Sequence, residues 1–371
     1  GSLILISWHF KIISLTAVVA NLVMIPLAGM IITIAVLSSL IFSVKLIWVS
    51  ALLNKLNAFL AATLIQLALI FSSVPGGYFS PPADLLSSGS ADKPAGFSLQ
   101  ILANRGSQAH LFSIPALGST SETYRSPRHW LLDCGDPFLF RSQVQPLLRT
   151  HGINRLEGLF LSHGDQDHLG ATPIVLDRLR PRSYFETHLT NRARIYKETK
   201  AAIDRRGIQS FQLKRAERLK MTTDTEWEVL FPPAGYPDQP RADDHCLVLR
   251  LRHHHWRILF TFDSGFATEK WLLENKTDLR SHVWVKGQNV DGVSGLPGFV
   301  DAVKPEIIVA TNAGYPAFER IPAEWISGIN RRGIELFDLS QTGAVSIRGS
   351  ESTLLVESFL DPDKKVELED H

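Results

Sequence analysis

Ser162-His163-Gly164-Asp165-Gln166-Asp167-His168-Leu169-Gly170 places four side chains of metal-ligand type within six positions, immediately after the apolar run Leu159-Phe160-Leu161. The run reads as a buried strand, and Gly164 and Gly170 permit a tight turn into a following helix. Burying or crowding such groups on a loop is costly unless they are paired or hold an ion. Imidazole with carboxylate suits zinc, manganese or iron ahead of calcium, and ligands alternating along the loop can face two neighbouring ions. The stretch therefore predicts a metal-binding loop at a strand end.

Working outward, short apolar strands alternate with amphipathic helices. Strands are expected at Phe97–Ala103, Gln108–Ile114, Trp130–Cys134, Leu156–Ser162, Trp227–Phe231, Cys246–Leu251, Ile258–Phe262, His282–Lys286 and Ile307–Ala310, with helices near Ala171–Leu179 and Arg192–Arg206. Antiparallel strand groups interleaved with helices predict two sheets packed face to face with helices outside.

The beginning of the chain is different in kind. Residues 12–44 form a charge-free apolar run, and Leu56–Val74 supplies another of nearly membrane-spanning length. Two long runs separated by Lys45 and Lys55 do not resemble a signal peptide. Two membrane helices are expected, the first kinked or broken at Pro26, where proline removes a backbone donor. The chain opens on Gly1 with the first apolar run close behind, so a longer membrane protein is expected to extend before it. Lys45 and Lys55, placed in the connecting segment, put that segment in the cytoplasm and the following domain outside.

The expected organisation is 1–75 membrane helices, 76–96 a flexible Pro/Gly/Ser-rich linker, 97–360 the globular domain and 361–371 an acidic tail. The formal charge of +1 conceals a basic segment, Arg178–Lys220, with thirteen Lys/Arg against four Asp/Glu. That density suits a phosphate backbone or, equally, a solvated helix face. Cys134 and Cys246 stand in apolar strand-like contexts and read as small buried residues.

The loop resembles the HxHxDH signature of the metallo-β-lactamase superfamily, in the HxDxDH variant of ComEC-type competence proteins. Trp130-Leu131-Leu132-Asp133-Cys134-Gly135 is similar to that superfamily's strand ending in an Asp-Gly turn. Cys246–Leu251 followed by Arg257–Asp263 is similar to its hairpin ending in a bridging aspartate. Ile13-Ser14-Leu15, Ala20-Asn21-Leu22 and Ile25-Pro26-Leu27 resemble the last membrane segments of the competence domain.

The resemblance implies a transmembrane α-helical segment followed by an αββα metallo-β-lactamase-like sandwich. It implies one or two divalent ions, zinc or manganese, with His163 and Asp165 on one, Asp167 and His168 on the second, and Asp263 between them. Asp167 and Asp263 are the catalytic candidates.

Other positions depart from the pattern. After His282–Lys286 the family carries His-His-Gly, whereas this chain has Gly287-Gln288-Asn289, leaving Gln288 and Asn289 as weak substitutes for the missing histidine. The acidic Asp-Val-Gly-Gln-Gly-Asp stretch corresponds to Ala103–Gln108, and Gly-His-Pro to Gly314-Tyr315-Pro316. Asp244 and His245, just ahead of the hairpin that leads to Asp263, are candidates for a third ligand motif, and His188 is a further histidine near the loop. His253-His254-His255 reads as an exposed hairpin turn.

The resemblance implies a plasma (inner) membrane, multi-pass, metal-dependent phosphodiesterase acting on single-stranded DNA during uptake. Its partners would be DNA, the membrane and the remainder of a competence channel. The alternative is a catalytically impaired DNA-binding or translocation module that retains the hydrolase fold. A hydrolase of small esters, thioesters or lactams fits the domain but leaves the membrane segment and the basic stretch unexplained.

Overall fold

The computed structural model describes residues 12–72, 74, 79–80, 96–115, 127–189, 193–237, 243–289, 294–315 and 320–370. The first eleven residues, most of the expected linker 76–96, Arg192 and Pro316 lie outside the described residues.

The chain divides into two compact units. In the first, α1 (Leu15–Ser43) and α2 (Ile47–Ser72) are both long and apolar enough to cross a membrane. Ser14 caps α1, its hydroxyl accepting from Ala17 N at 3.1 Å. The helix runs through Pro26 without a break, because one lost backbone bond is small beside the many that remain. Large apolar side chains such as Leu22 and Trp48, each 74% exposed, cover the outside of the pair. Polar groups also meet between the helices, where Ser38 Oγ lies 2.9 Å from Ser50 Oγ and donates to Asn54 Oδ1 at 2.8 Å. Only Lys45 sits in the turn between the helices; Lys55, expected in the connection, is inside α2.

The second unit holds sixteen strands among the described residues. In chain order β1–β6 are Phe97–Asn104, Ser107–Ile114, Arg128–Leu132, Gly158–Phe160, Ser183–Thr187 and Gln209–Leu213. Strands β7–β13 are Arg218–Lys220, Thr225–Phe231, Val248–His253, Trp256–Phe262, Val283–Lys286, Ile307–Ala310 and Glu335–Asp338. Val345–Gly349, Thr353–Ser358 and Lys365–Glu369 are β14–β16. One sheet has the order β16-β15-β14-β1-β2-β3-β4-β5-β6, the other β13-β12-β11-β10-β9-β8-β7.

The expected strands form, with one difference in pairing: β3–β6 and β10–β13 run parallel. Parallel neighbours need crossovers, and helices supply several of them: α3 (Gln166–Leu169) and α4 (Thr172–Arg178) after β4, α5 (Arg194–Arg205) after β5, α6 (Phe266–Glu274) after β10, α7 (Pro297–Val303) after β11 and α8 (Ala323–Arg331) after β12. The acidic end is likewise not a tail throughout. Alternation in Lys365-Val366-Glu367-Leu368-Glu369 makes it the edge strand β16, with Val366 and Leu368 packed on the core.

The sheets meet over Phe97, Phe112, Trp130, Phe160, Trp227 and Phe260. The opposite face of β11 and β12 buries Trp284 and Ile308 against Phe299 and Val300 of α7 and Ile329 of α8. Leu131, Leu159 and Tyr184, on the opposite face of the first sheet, are fully buried. The result is the expected αββα sandwich, two packed sheets with helices outside, with the His163–His168 loop at the end of β4.

Candidate metal centre

Three chain segments leave parallel-running strands and converge at one end of the sandwich. Asp133 follows β3 with φ 55°, and Asp263 follows β10 after Phe262 at φ 45°. Between them the loop after β4 is pinned through its backbone: Cys134 N and Gly135 N both donate to His168 O, at 2.8 and 3.1 Å.

Asp133 is the organising carboxylate. It is fully buried; its Oδ1 accepts Ser162 N at 2.7 Å, and its Oδ2 accepts Ser162 Oγ at 2.6 Å and meets His168 Nδ1 at 2.7 Å. His168 spans to the other carboxylate, its Nε2 lying 2.9 Å from Asp263 Oδ2. Burial opposes a charge on this imidazole, but Asp263 and Asp133, by charge and by hydrogen bond, overcome it and hold His168 well above its ordinary value. Asp263 is correspondingly depressed: desolvation is outweighed by His168, His163 and the Gln108 amide.

The state of His163 follows from hydrogen-bond counting. Ser162 has one hydroxyl proton, and it is given to Asp133. At 2.9 Å from that oxygen, His163 Nδ1 must therefore be the donor, which assigns its proton and leaves Nε2 with a bare lone pair. Nε2 is buried, has no hydrogen-bond partner, and faces Asp165 Oδ2 at 3.8 Å and Asp243 Oδ1 at 3.9 Å. Burial, with the neighbouring His168 charge, lowers His163 to about 3, so it stays neutral at physiological pH. A lone pair aimed at two carboxylates is repulsive without a cation among them; the donor set fits a divalent ion.

Two groups have donor atoms within metal-holding reach among the described residues: His163, His168 and Asp263, and His163, Asp165 and Asp243. Asp167, expected as a ligand, is exposed and stands in neither; it is fixed through its carbonyl, which accepts Ser107 Oγ at 2.8 Å. In the third candidate motif the short 3-10 turn Asp243–His245 buries its first and last residues, so Asp243 rather than Asp244 joins the group. His245 lines, with His163, Gly164, Glu186, Thr187 and Tyr196, a small cleft of about 10 Å³, room for a single water.

The weak substitutes occupy other roles. Gln288 donates its backbone N–H to Asp263 Oδ1 at 3.2 Å, while its side-chain oxygen accepts from Asn312 Nδ2 at 3.3 Å and Ala313 N at 3.4 Å. Asn289 Nδ2 holds Asp263 O at 3.1 Å. His188 Nδ1 lies against Leu213 O at 3.3 Å, outside both groups. The expected exposed turn at His253–His255 is only partly so: His253 is buried, edge-on to Phe97 at 5.1 Å, and bonded to Thr225 Oγ1 at 2.8 Å. Both cysteines are buried free thiols, Cys134 pushed up to about 12 by burial.

The sequence gives little warning of the Glu186 cluster. Its buried carboxylate accepts Tyr184 OH at 3.1 Å, Tyr196 OH at 3.0 Å and Lys200 Nζ, beside the cleft. The basic segment is also more neutral than its composition. Arg182, Arg194, Lys200, Arg206, Lys214 and Arg218 are ion-paired, partly with Glu157, Asp177, Glu226 and Glu228 from outside the segment. Lys197 and Lys220 are exposed.

Residues 1–86 match the family described as Competence protein. Over 236 residues the chain is 24% identical to ComE operon protein 3 of Bacillus subtilis (strain 168), covering 62% of this chain and 29% of that protein. Over 225 residues it is 26% identical to Competence protein ComA of Neisseria gonorrhoeae, covering 59% and 29%. The chain thus spans 29% of the length of each of these relatives. Among solved structures it is similar to the metallo-β-lactamase fold protein YhfI from Bacillus subtilis (TM-score 0.41, 11% identity, 65% of this chain and 95% of that one). It is also similar to CmlA, a diiron β-hydroxylase from Streptomyces venezuelae (TM-score 0.45, 13% identity, 79% and 59%). With its apolar helix pair followed by an αββα domain, the chain is similar to ComEC-type competence proteins that carry a metallo-β-lactamase-fold domain.

Proposed function

We propose that the chain is the membrane-anchored, divalent-metal-dependent phosphodiesterase part of a DNA-uptake protein, acting on single-stranded DNA. The observation that carries this reading is His163 Nε2, buried, unprotonated and aimed at two carboxylates. His163, Asp165 and Asp243 would hold the ion, with Asp263 alongside. A bound divalent ion, zinc or manganese, supplies charge for a phosphoryl oxygen and a hydrolytic nucleophile at neutral pH.

The protein's own contribution is positional. Asp133 fixes the His168 ring and Ser162 fixes the His163 tautomer, so the ligand geometry is set before an ion arrives. In this reading residues 1–75 anchor the chain in the inner membrane as part of a larger channel, 76–96 link, and the domain from residue 97 lies outside the cytoplasm.

The test uses the full chain in detergent with fluorescent single-stranded DNA. Manganese-dependent nicking is expected, suppressed by a chelator and reduced in His163→Ala to about 1% or less, the scale of a lost electrostatic stabiliser. If wild type binds DNA but never nicks it, the impaired binding-module reading takes its place. The amides crowding Asp263 favour that reading.

DNA binding has its own expected signature. Since much of the basic segment is internally paired, the exposed Lys197 and Lys220 carry phosphate contacts. Lys197→Glu with Lys220→Glu is expected to flatten the dependence of log affinity on log salt by about 1–2. An unchanged slope in fluorescence anisotropy places the strand elsewhere.

A further inference from the structure

We infer that the centre takes a single divalent cation, at His163, Asp165 and Asp243, and that protein amides fill the place where a second would sit. The inference rests on the metal-centre reading above.

Asp263 decides between one ion and two. A carboxylate that bridges two ions must offer one oxygen to each. Asp263 Oδ2 faces the histidine side, 2.9 Å from His168 Nε2. Its Oδ1 is engaged by two N–H donors, Gln108 Nε2 at 2.5 Å and Gln288 N at 3.2 Å. A carboxylate oxygen has two lone pairs in its plane, so both on Oδ1 are in use.

The chain closes over the same oxygen from behind. A Cβ on Gly287 would stand 1.9 Å from Oδ1 and 2.6 Å from Gln108 Nε2, so backbone occupies that side. Gln288 turns its side-chain oxygen to Asn312 and Ala313, and Asn289 spends its amide on Asp263 O. Asp167, the remaining carboxylate of the loop, belongs to neither ligand group. That end of the site thus presents donors where an ion requires acceptors.

The opposite end has the reverse character. His163 Nε2 is an unsatisfied acceptor, Asp243 is buried beside it, and Asp165, with its side chain half exposed, leaves a route for an ion from solvent. The motif after β4 therefore serves one position with its first two ligands, while its last histidine is held between two aspartates.

The test strips the full chain of metal in detergent and titrates it with manganese. Bound ion is counted by mass spectrometry after desalting, and its neighbourhood is read by electron paramagnetic resonance. One equivalent is expected, with the hyperfine pattern of an isolated Mn(II). Asp243→Asn is expected to weaken that equivalent at least about tenfold, whereas Asp167→Asn leaves it within about twofold, the scatter of distant surface changes. Thermal melts of both variants establish that each is folded.

Two equivalents with an exchange-coupled signal overturn the single-ion inference and leave the metal-centre reading standing. One equivalent that depends on Asp167 and ignores Asp243 also overturns it. No bound ion at all removes the metal-centre reading itself.

Discussion

Gly287→Ala is expected to destabilise the metal-free protein by about 3 kcal/mol or more, at the upper end of what overpacking costs. The new methyl carbon would fall 1.9 Å from Asp263 Oδ1, 2.6 Å from Gln108 Nε2 and 2.7 Å from Phe262 O. Two of these are side-chain atoms, but neither is free to retreat. Asp263 is tied to His168 and Gln288, and Gln108 projects from β2 in the middle of a sheet. The third is backbone, held by Gly287 N itself at 2.6 Å.

For a domain of this size the cost corresponds to a fall in melting midpoint of roughly 6–12 °C. Gly328→Ala is the matched control. Gly328 lies in α8, where an added Cβ meets nothing nearer than Arg332 Nη1 at 3.8 Å. It should hold or raise the midpoint, since alanine favours a helix by up to about 1 kcal/mol over glycine. Equal midpoints for wild type and Gly287→Ala would mean that the backbone does not close on Asp263 as described.

The amide enclosure behind this prediction was only half legible in the sequence. That Gly287-Gln288-Asn289 offers no strong ligand is evident from residue types alone. That Gln108 and the Gln288 N–H then occupy Asp263 is not, because β2, β10 and the segment after β11 are far apart in sequence and meet only in the assembled sandwich. The strands were legible for the opposite reason: alternation in Phe97–Asn104 or the unbroken apolar run Ile307–Ala310 is a local property, set by burial on one face or two.

Within the site the same division holds. His163, Asp165 and His168 stand out as a cluster, whereas the choice of Asp243 over Asp244 depends on the parity of a three-residue turn. The basic segment misleads because, among the described residues, four of the seven carboxylates that pair with it, Glu157, Asp177, Glu226 and Glu228, lie outside it in sequence. The edge strand at Lys365–Glu369 looks like a charged tail until its two apolar residues are paired with β15.

Asp133→Asn is the second large effect, expected to cost about 3–5 kcal/mol, the range for breaking a buried charged pair. The amide keeps the volume but carries hydrogens at one of its two positions, so whichever way it turns it confronts either Ser162 N or the pair Ser162 Oγ and His168 Nδ1, which need an acceptor. Its pH dependence separates the charge on His168 from mere loss of packing. In chelator-treated protein His168 is raised well above 6.5, so its contribution is complete below pH 6.5 and is lost as pH climbs through the folded value. Asp263 is lowered from 3.8, so its share is complete above 3.8 and is lost as pH falls through its folded value. Both are fully present only between those limits. The stability difference between wild type and Asp133→Asn, taken from urea unfolding at several pH values, is therefore expected to be largest from about pH 4 to 6.5 and to shrink steadily toward alkaline pH. A difference that is flat, or grows, between pH 6.5 and 9 would mean that His168 holds no second proton between Asp133 and Asp263, and that the cost of Asp133→Asn is one of packing and lost hydrogen bonds alone.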